Sequence, residues 1–197
     1  MDGFAPLVAS PYVGRLATRD VDLPAVRDTE RPLRVVLTGG AGQLRGPVDA
    51  CARRGLRLVA LDTTLRDLDD PAGNARRVVT AALDLPSDPT LHVAVSGSPT
   101  PAWLAALDVL AEAEAVVGLP LTGVDPAPWI DAALDRELPV TLLGGSAAHA
   151  VTALRTTARL WGDPEDLEAA RRWCRSWLTD DTAAAVEHLL ACSSEAR

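Results

Sequence analysis

Five short apolar runs, rich in β-branched residues, recur through the middle of the chain at nearly constant spacing. The runs begin at Leu33, Arg57, Leu91, Ala115 and Pro139. Successive starts are 24, 34, 24 and 24 residues apart, and alanine-rich stretches with helical spacing lie between them. Strand and helix alternating at this interval indicate βα units and a parallel sheet covered by helices. Because the runs are continuously apolar, we expect strands that are buried on both faces.

The sequence therefore predicts an α/β fold with a parallel sheet of five or six strands, as in a partial or shortened TIM-like barrel. A complete eight-stranded barrel usually needs ~250 residues, whereas this chain has 197. Residues 6–13 are the candidate for an additional strand, and residues 14–28 are predicted to form a helix. Helices are also predicted between the strands, at 74–83, 101–115 and 126–137.

After the last apolar run, the sequence predicts helices only. Their expected ranges are 146–161, 163–178 and 181–192. We therefore divide the chain into a βα-repeat core, 1–145, and a helical C-terminal segment, 146–197, packed on the same domain. Trp161, Trp173 and Trp177 lie in this segment, and we expect them to pack internally or to form the interface of a homodimer.

The charge composition excludes several classes of protein. All 19 basic residues are arginine, so no lysine is available for a Schiff base or a P-loop, and the net charge of −8 argues against nucleic-acid or anionic-membrane partners. The three cysteines have no metal-ligand or disulfide spacing. No signal peptide or long apolar segment is evident. These features predict a cytoplasmic protein without a metal site.

The stretch 33-LRVVLTGGAGQLRG-46 resembles the beginning of an extended short-chain dehydrogenase. In that family, glycines admit the cofactor pyrophosphate and an aspartate at the position of Asp62 binds the ribose. Gly39 and Gly42 have the required spacing, but Arg45 occupies the third glycine position. The family's catalytic tyrosine–lysine pair is absent, because the chain has no lysine and its single tyrosine lies upstream of the fold. A classical dehydrogenase is excluded, while nucleotide binding without that chemistry stays open.

A second resemblance covers about three quarters of the chain. It is carried by 66-RDLDDPAGNARRVVTAALDL-85, 102-AWLAALDVLAEAEA-115 and 132-AALDRELPVTLLGGSAAHAV-151. These segments are similar to a poorly characterised family of bacterial TIM-barrel-like proteins, of which the chain looks like a shortened and diverged member. The resemblance implies an arginine near Leu121, a lysine near Thr141 and a histidine pair at residues 148 and 149. Only His149 of these is present.

The strand ends supply the candidate site, because ligands of parallel βα proteins bind at the carboxyl ends of the strands. The predicted substrate-binding residues are Thr38, Gly39, Gly40, Arg66, Ser96, Ser98, Thr122, Gly144, Gly145 and Ser146. Two glycines and a serine that open a helix offer free N–H groups to an anion, although Ser146 could equally serve as an N-cap alone.

Asp62 and His149 are the candidate catalytic residues. Asp62 directly follows a buried apolar run, and His149 lies one turn into the next predicted helix. The alternatives are that Asp62 caps a turn and that His149 is a packing residue.

Three functions remain open from the sequence. The first is a cofactor-independent small-molecule enzyme of the lyase, isomerase or cyclase type, working by acid–base or positioning catalysis in a specialised biosynthetic pathway. The second is a nucleotide-binding, Rossmann-like protein. The third is a degenerate barrel that binds a ligand or partner without catalysis. For the first function we expect no cofactor and a small-molecule substrate.

Overall fold

The computed structural model describes residues 15–27, 29–123, 125–162 and 166–179. Within them, seven strands form one sheet, all pairs are parallel, and the spatial order follows the chain from β1 to β7. The strands are β1 (Leu16–Arg19), β2 (Leu33–Val36), β3 (Leu58–Thr64), β4 (Thr90–Ala94), β5 (Val116–Pro120), β6 (Val140–Leu143) and β7 (Cys174–Leu178). The α-helices are α1 (Arg45–Arg53), α2 (Pro71–Leu83), α3 (Pro101–Glu112), α4 (Ala127–Leu134), α5 (Ala147–Trp161) and α6 (Leu167–Ala170). Short 3-10 helices span Asp20–Ala25 and Ala41–Gln43.

The sheet curls into a half-barrel. Strands β2 and β7 are five steps apart in the sheet order, which is about 24 Å in a flat sheet at ~4.8 Å per strand. Nevertheless, Arg34 of β2 donates a hydrogen bond of 2.8 Å to the hydroxyl of Ser176 on β7. An arginine side chain cannot bridge 24 Å, so the strands must curve toward one another and enclose an inner face.

The two faces of the sheet are covered differently. Successive residues of a strand point to opposite faces. On β2, Leu33 and Val35 belong to the hydrophobic core, whereas Arg34 lies between them and forms its side-chain hydrogen bonds on the inner face. The same core contains residues from helices α3 and α4, namely Trp103, Leu107 and Ile130. It also contains the strand residues Val93, Val117 and Leu119. The apolar core therefore lies between sheet and helices, and the inner face is free to carry polar groups.

The α/β class and the parallel βα repeat are confirmed, as are strands at all five apolar runs. The number of strands is seven rather than five or six. One additional strand is β1, which occupies the segment predicted as a helix over 14–28. Pro24 lies in the 3-10 turn that follows, and proline removes a backbone donor that a continuing α-helix would need. The predicted strand at 6–13 lies outside the described residues.

The other additional strand is β7, within the predicted helix 163–178. The helix in the described part of this range is limited to Leu167–Ala170, and Cys174–Leu178 pairs with β6 instead. Tryptophan and cysteine fit a half-buried strand next to β6, and pairing satisfies backbone groups of β6 that would otherwise form a sheet edge. The prediction of helices alone after Leu143 was therefore wrong for these five residues. The predicted helix at 181–192 lies outside the described residues, and the domain boundary at 145 stays a prediction.

Candidate active site at the strand ends

A cavity of about 220 Å³ opens on the inner face of the half-barrel. Five of the residues that border it are the last residues of their strands: Val36, Thr64, Ala94, Leu143 and Leu178. The other bordering residues are Asp62, Thr63, Gly118 and Gly144. The cavity therefore lies at the carboxyl ends of the strands, which is where parallel βα folds bind their ligands.

Asp62 is the one ionisable side chain that borders this cavity among the described residues. Both of its carboxylate oxygens accept hydrogen bonds from Arg34: Nε donates to Oδ2 at 2.5 Å, and Nη2 donates to Oδ1. The two side chains are 10% and 4% exposed, so the ion pair is buried. Burial raises the pKa of the Asp62 carboxyl above its ordinary value, and the Arg34 hydrogen bonds and charge oppose this shift. A carboxylate keeps further lone pairs when an arginine binds it, so Asp62 can still accept a proton from a ligand.

Arg34 contacts two further side chains of the inner face, and a third side chain connects those two. Its Nη1 donates to Ser176 Oγ at 2.8 Å, and its Nη2 lies 3.3 Å from His92 Nδ1. Thr141 Oγ1 lies 2.7 Å from His92 Nδ1 and 2.9 Å from Ser176 Oγ. The five residues Arg34, Asp62, His92, Thr141 and Ser176 come from five different strands. We call them the inner-face network.

The chemistry of arginine fixes the direction of these hydrogen bonds. A guanidinium can only donate, so His92 Nδ1 accepts and the ring proton is on Nε2. Thr141 and Arg34 then share the single lone pair of His92 Nδ1 as donors, and Ser176 donates to Thr141 while it accepts from Arg34. Burial first, and the charge of Arg34 second, lower the pKa of His92 to about 3. His92 is therefore a neutral acceptor that orients Arg34, and its buried Nε2 has no hydrogen-bond partner within the described chain.

Two of the residues predicted for the site border the cavity, Asp62 and Gly144. Ser96, Ser98 and Thr122 are exposed residues of the loops that follow β4 and β5, and they do not border it. Arg66 donates to the carbonyl oxygen of Thr38, which ties two predicted site residues to each other at the rim. The structure thus brings the strand ends to one mouth, but it places most of the predicted side chains outside the cavity.

In the glycine loop after β2, the space beside Gly39 is filled by a side chain of the same loop. The side-chain amide of Gln43 occupies the space into which a Cβ of Gly39 would project. Gly40 follows Gly39 and precedes a 3-10 turn, so that α1 begins only at Arg45. None of the glycines in this loop borders the cavity. A pyrophosphate cradle would need the helix to start directly at the glycines, so this geometry offers a turn rather than a cradle.

The loop after β6 forms a tight turn that ends in a capped helix. Gly144 and Gly145 have φ angles of +66° and +70°, a region that favours glycine. The Ser146 hydroxyl accepts a hydrogen bond from the backbone N–H of His149, and the His149 ring accepts one from the backbone N–H of Ser146. His149 is therefore exposed and engaged in a capping box. It does not border the cavity, and its catalytic role stays a prediction.

The sequence reasoning missed Arg34, His92, Thr141 and Ser176. The signal for three of them was a single polar residue at the second position of an apolar run: 33-LRVV-36, 91-LHVA-94 and 140-VTLL-143. Each of these polar residues lies between residues that face the helices, which places it on the inner face. The fourth, Ser176, could not be found because β7 was predicted as a helix.

Comparison with known proteins found no match: the chain matches no family model and no curated protein. Within the described ranges, no group of three histidine, cysteine or acidic side chains is arranged to hold a metal ion. No helix in the described part of the chain combines the length and apolar character that crossing a bilayer requires.

Proposed function

We propose that the protein is a cofactor-independent enzyme of the lyase, isomerase or cyclase type that transfers a proton between Asp62 and a small molecule bound at the strand ends. The observation that carries the proposal is the position of Asp62, a buried carboxylate that borders the cavity and is oriented by Arg34. A general base needs a fixed direction and a pKa nearer to the working pH than that of a free aspartate. Burial raises the pKa of Asp62 in that sense.

In the elementary step, the Asp62 carboxylate accepts a proton from a carbon next to a carbonyl group. The C–H electron pair moves to the carbonyl and gives an enolate, while Asp62 becomes a carboxylic acid. Return of the proton to the same or another carbon completes an isomerisation, and loss of a leaving group completes an elimination. Thr64 borders the cavity and is exposed, so its hydroxyl can donate to the developing oxyanion.

The test is proton exchange with solvent. The protein is incubated in D₂O with cyclohexanone, and incorporation of deuterium next to the carbonyl is followed by proton NMR. We expect exchange above the buffer rate with the wild-type protein and with Asp88→Asn, which alters an aspartate in an exposed loop. Exchange should fall to the buffer rate in the double variant Arg34→Met/Asp62→Leu, which leaves no unpaired charge. If the double variant exchanges as fast as the wild type, Asp62 is not the base.

No observation favours nucleotide binding over this function. The cavity of about 220 Å³ is below the roughly 300–1,000 Å³ of pockets for drug-sized ligands, and the glycine loop does not border it. The non-catalytic alternative predicts that cyclohexanone binds without exchange, which requires a binding titration beside the exchange test.

The proposal also covers the oligomeric state of the protein, its cellular compartment and its evolutionary origin. Trp161 is 48% exposed and its ring lies 4.9 Å from that of Trp173, which supports a homodimer through the C-terminal segment. Sedimentation of Trp161→Ala tests it, with a shift to monomer expected. Cys51 and Cys174 are free thiols, which supports a reducing, cytoplasmic location. The half-barrel supports descent from a TIM-barrel-like family by shortening.

A further inference from the structure

The polar groups of the cavity are confined to one side. Asp62 and Thr64 lie on β3, and the rest of the boundary consists of aliphatic residues, glycine and alanine from the other strands. Thr63 also borders the cavity, but successive side chains of a strand point to opposite faces. Its register partner on β4, Val93, belongs to the hydrophobic core, which places the Thr63 hydroxyl on the helix side. A bound molecule therefore meets one hydrogen-bonding wall and several apolar ones.

Among the residues that the structure describes, no cationic side chain borders the cavity. Arg34 does not border it, and its guanidinium already donates to Asp62, Ser176 and His92. The negative charge of Asp62 is in turn compensated by Arg34. A charged ligand would therefore lose its hydration against aliphatic side chains without gaining an ionic partner, which is strongly unfavourable.

Two small residues lie side by side at the boundary of the cavity. Ala94 on β4 and Gly118 on β5 are neighbours across the sheet, and both border the cavity. A Cβ at Gly118 would lie 2.8 Å from Leu143 Cδ1 and 3.0 Å from the Ala94 Cα, so the missing side chain cannot simply be added. The cavity has a volume of about 220 Å³, enough for a single ring or a short chain.

We infer that the cavity binds a small, uncharged and largely apolar molecule that presents one carbonyl or hydroxyl group to Asp62 and Thr64. The inference rests on the proposed function for the role of Asp62, but the ligand class follows from the charge and shape of the boundary. It replaces the expectation of an anion held by the glycine loops with a neutral ligand held by β3.

The test uses a series of probes that share one six-membered ring and differ only in the attached group. Cyclohexanone, cyclohexanol, cyclohexanecarboxylate, cyclohexylamine and cyclohexyl phosphate are titrated at pH 7 into the full chain, and binding is read from methyl NMR shifts of Ala94, Leu143 and Leu178. We expect saturable binding of the ketone and the alcohol, and at least tenfold weaker binding of the three charged probes. Equal or tighter binding of the carboxylate or phosphate, or no binding of either neutral probe, would overturn the inference.

Matched variants locate the binding. Ala94→Leu should abolish the binding of cyclohexanol, whereas Ala52→Leu, at an exposed position of helix α1, should leave it unchanged. If Ala94→Leu does not fold, Ala94→Val gives a smaller obstruction and should weaken binding severalfold. Unchanged binding in both Ala94 variants would place the ligand elsewhere and refute the inference.

The result of the binding titration can be distinguished from the result of the deuterium-exchange test. Binding of the neutral probes without deuterium exchange refutes the enzyme and leaves the ligand class intact. Exchange into cyclohexanone together with equal or tighter binding of the carboxylate or phosphate probe refutes the ligand class and leaves the enzyme intact.

Discussion

Arg34 on β2 and Ser176 on β7 are joined by a hydrogen bond of 2.8 Å although 142 residues separate them in the chain. The bond links the second strand to the last strand of the sheet order. The position of the guanidinium that binds Asp62 therefore depends on a residue of the C-terminal segment. Formation of the site therefore depends on docking of β7, and this relationship leads to the first prediction.

Replacement of Ser176 by alanine should destabilise the protein. The substitution leaves Arg34 Nη1 buried without its acceptor, and an unsatisfied buried donor costs about 1–3 kcal/mol, or more for a charged group. Urea unfolding measures the difference, with Ser98→Ala in an exposed loop as the control. A midpoint equal to that of the wild type would show that Ser176 does not hold Arg34.

The tautomer of His92 is the second prediction. Since Arg34 can only donate, the neutral ring should carry its proton on Nε2 and keep Nδ1 as the acceptor. Long-range nitrogen–proton NMR of the imidazole distinguishes the two tautomers directly. Thr141→Val should leave the tautomer unchanged, because Arg34 still donates to Nδ1. A proton found on Nδ1 would contradict the network.

The third prediction concerns stability in acid. The pKa of His92 is lowered to about 3 in the folded protein, whereas an unfolded histidine titrates near ~6.5. Between these values the unfolded chain binds more protons, so His92 makes stability fall as pH decreases below ~6.5, by at most about 1.4 kcal/mol per pH unit. Above that pH its contribution is constant.

Asp62 contributes with the opposite sign. Its raised folded pKa favours protonation of the native state, so this contribution to stability is present at low pH and is lost as pH rises through the interval above the ordinary aspartate value.

The contribution of His92 is measured by substitution. Because His92 lowers stability in acid, thermal unfolding between pH 4 and 8 should show a shallower acid slope in His92→Gln than in the wild type. His149→Gln controls for the loss of a histidine from the surface. An unchanged slope in His92→Gln would contradict the prediction.

The turn after β6 provides the fourth prediction, with a control in the adjacent residue. Gly144 and Gly145 have similar positive φ angles, so alanine costs about 1–2 kcal/mol at either position for the left-handed conformation. At Gly145 the new Cβ would also lie 2.8 Å from the Leu121 Cβ, while at Gly144 it would meet no atom within 4 Å. We expect Gly145→Ala to lower the unfolding midpoint clearly more than Gly144→Ala. Equal losses would show that the contact with Leu121 relaxes freely.

The sequence predicted the repeating part of this fold because strands buried on both faces leave a strong apolar signal. It was weaker at the two ends of the sheet, where the apolar residues of β1 and β7 are mixed with arginine and threonine or serine. For the site, two of the predicted residues, Asp62 and Gly144, border the cavity, although Asp62 lies within β3 and not after its end. The sequence could not predict that Arg34 pairs with Asp62, because the partner of a buried carboxylate depends on strand register and sheet curvature. Neither property can be derived from one segment alone.

The ion pair of Arg34 and Asp62 gives the last prediction, which separates its structural role from its functional role. Asp62→Asn leaves a buried guanidinium without its counter-charge, and breaking such a pair typically costs about 3–5 kcal/mol. Arg34→Met/Asp62→Leu removes both charges, and replacement of a buried pair by apolar residues is often neutral or stabilising by about 1–4 kcal/mol. We therefore expect the double variant to be more stable than the single one, yet inactive in the proton-exchange assay. Urea unfolding of the two variants and the wild type measures the first part. If the single variant is as stable as the wild type, the carboxylate does not carry a charge in the folded protein, and Asp62 cannot act as the base at that pH.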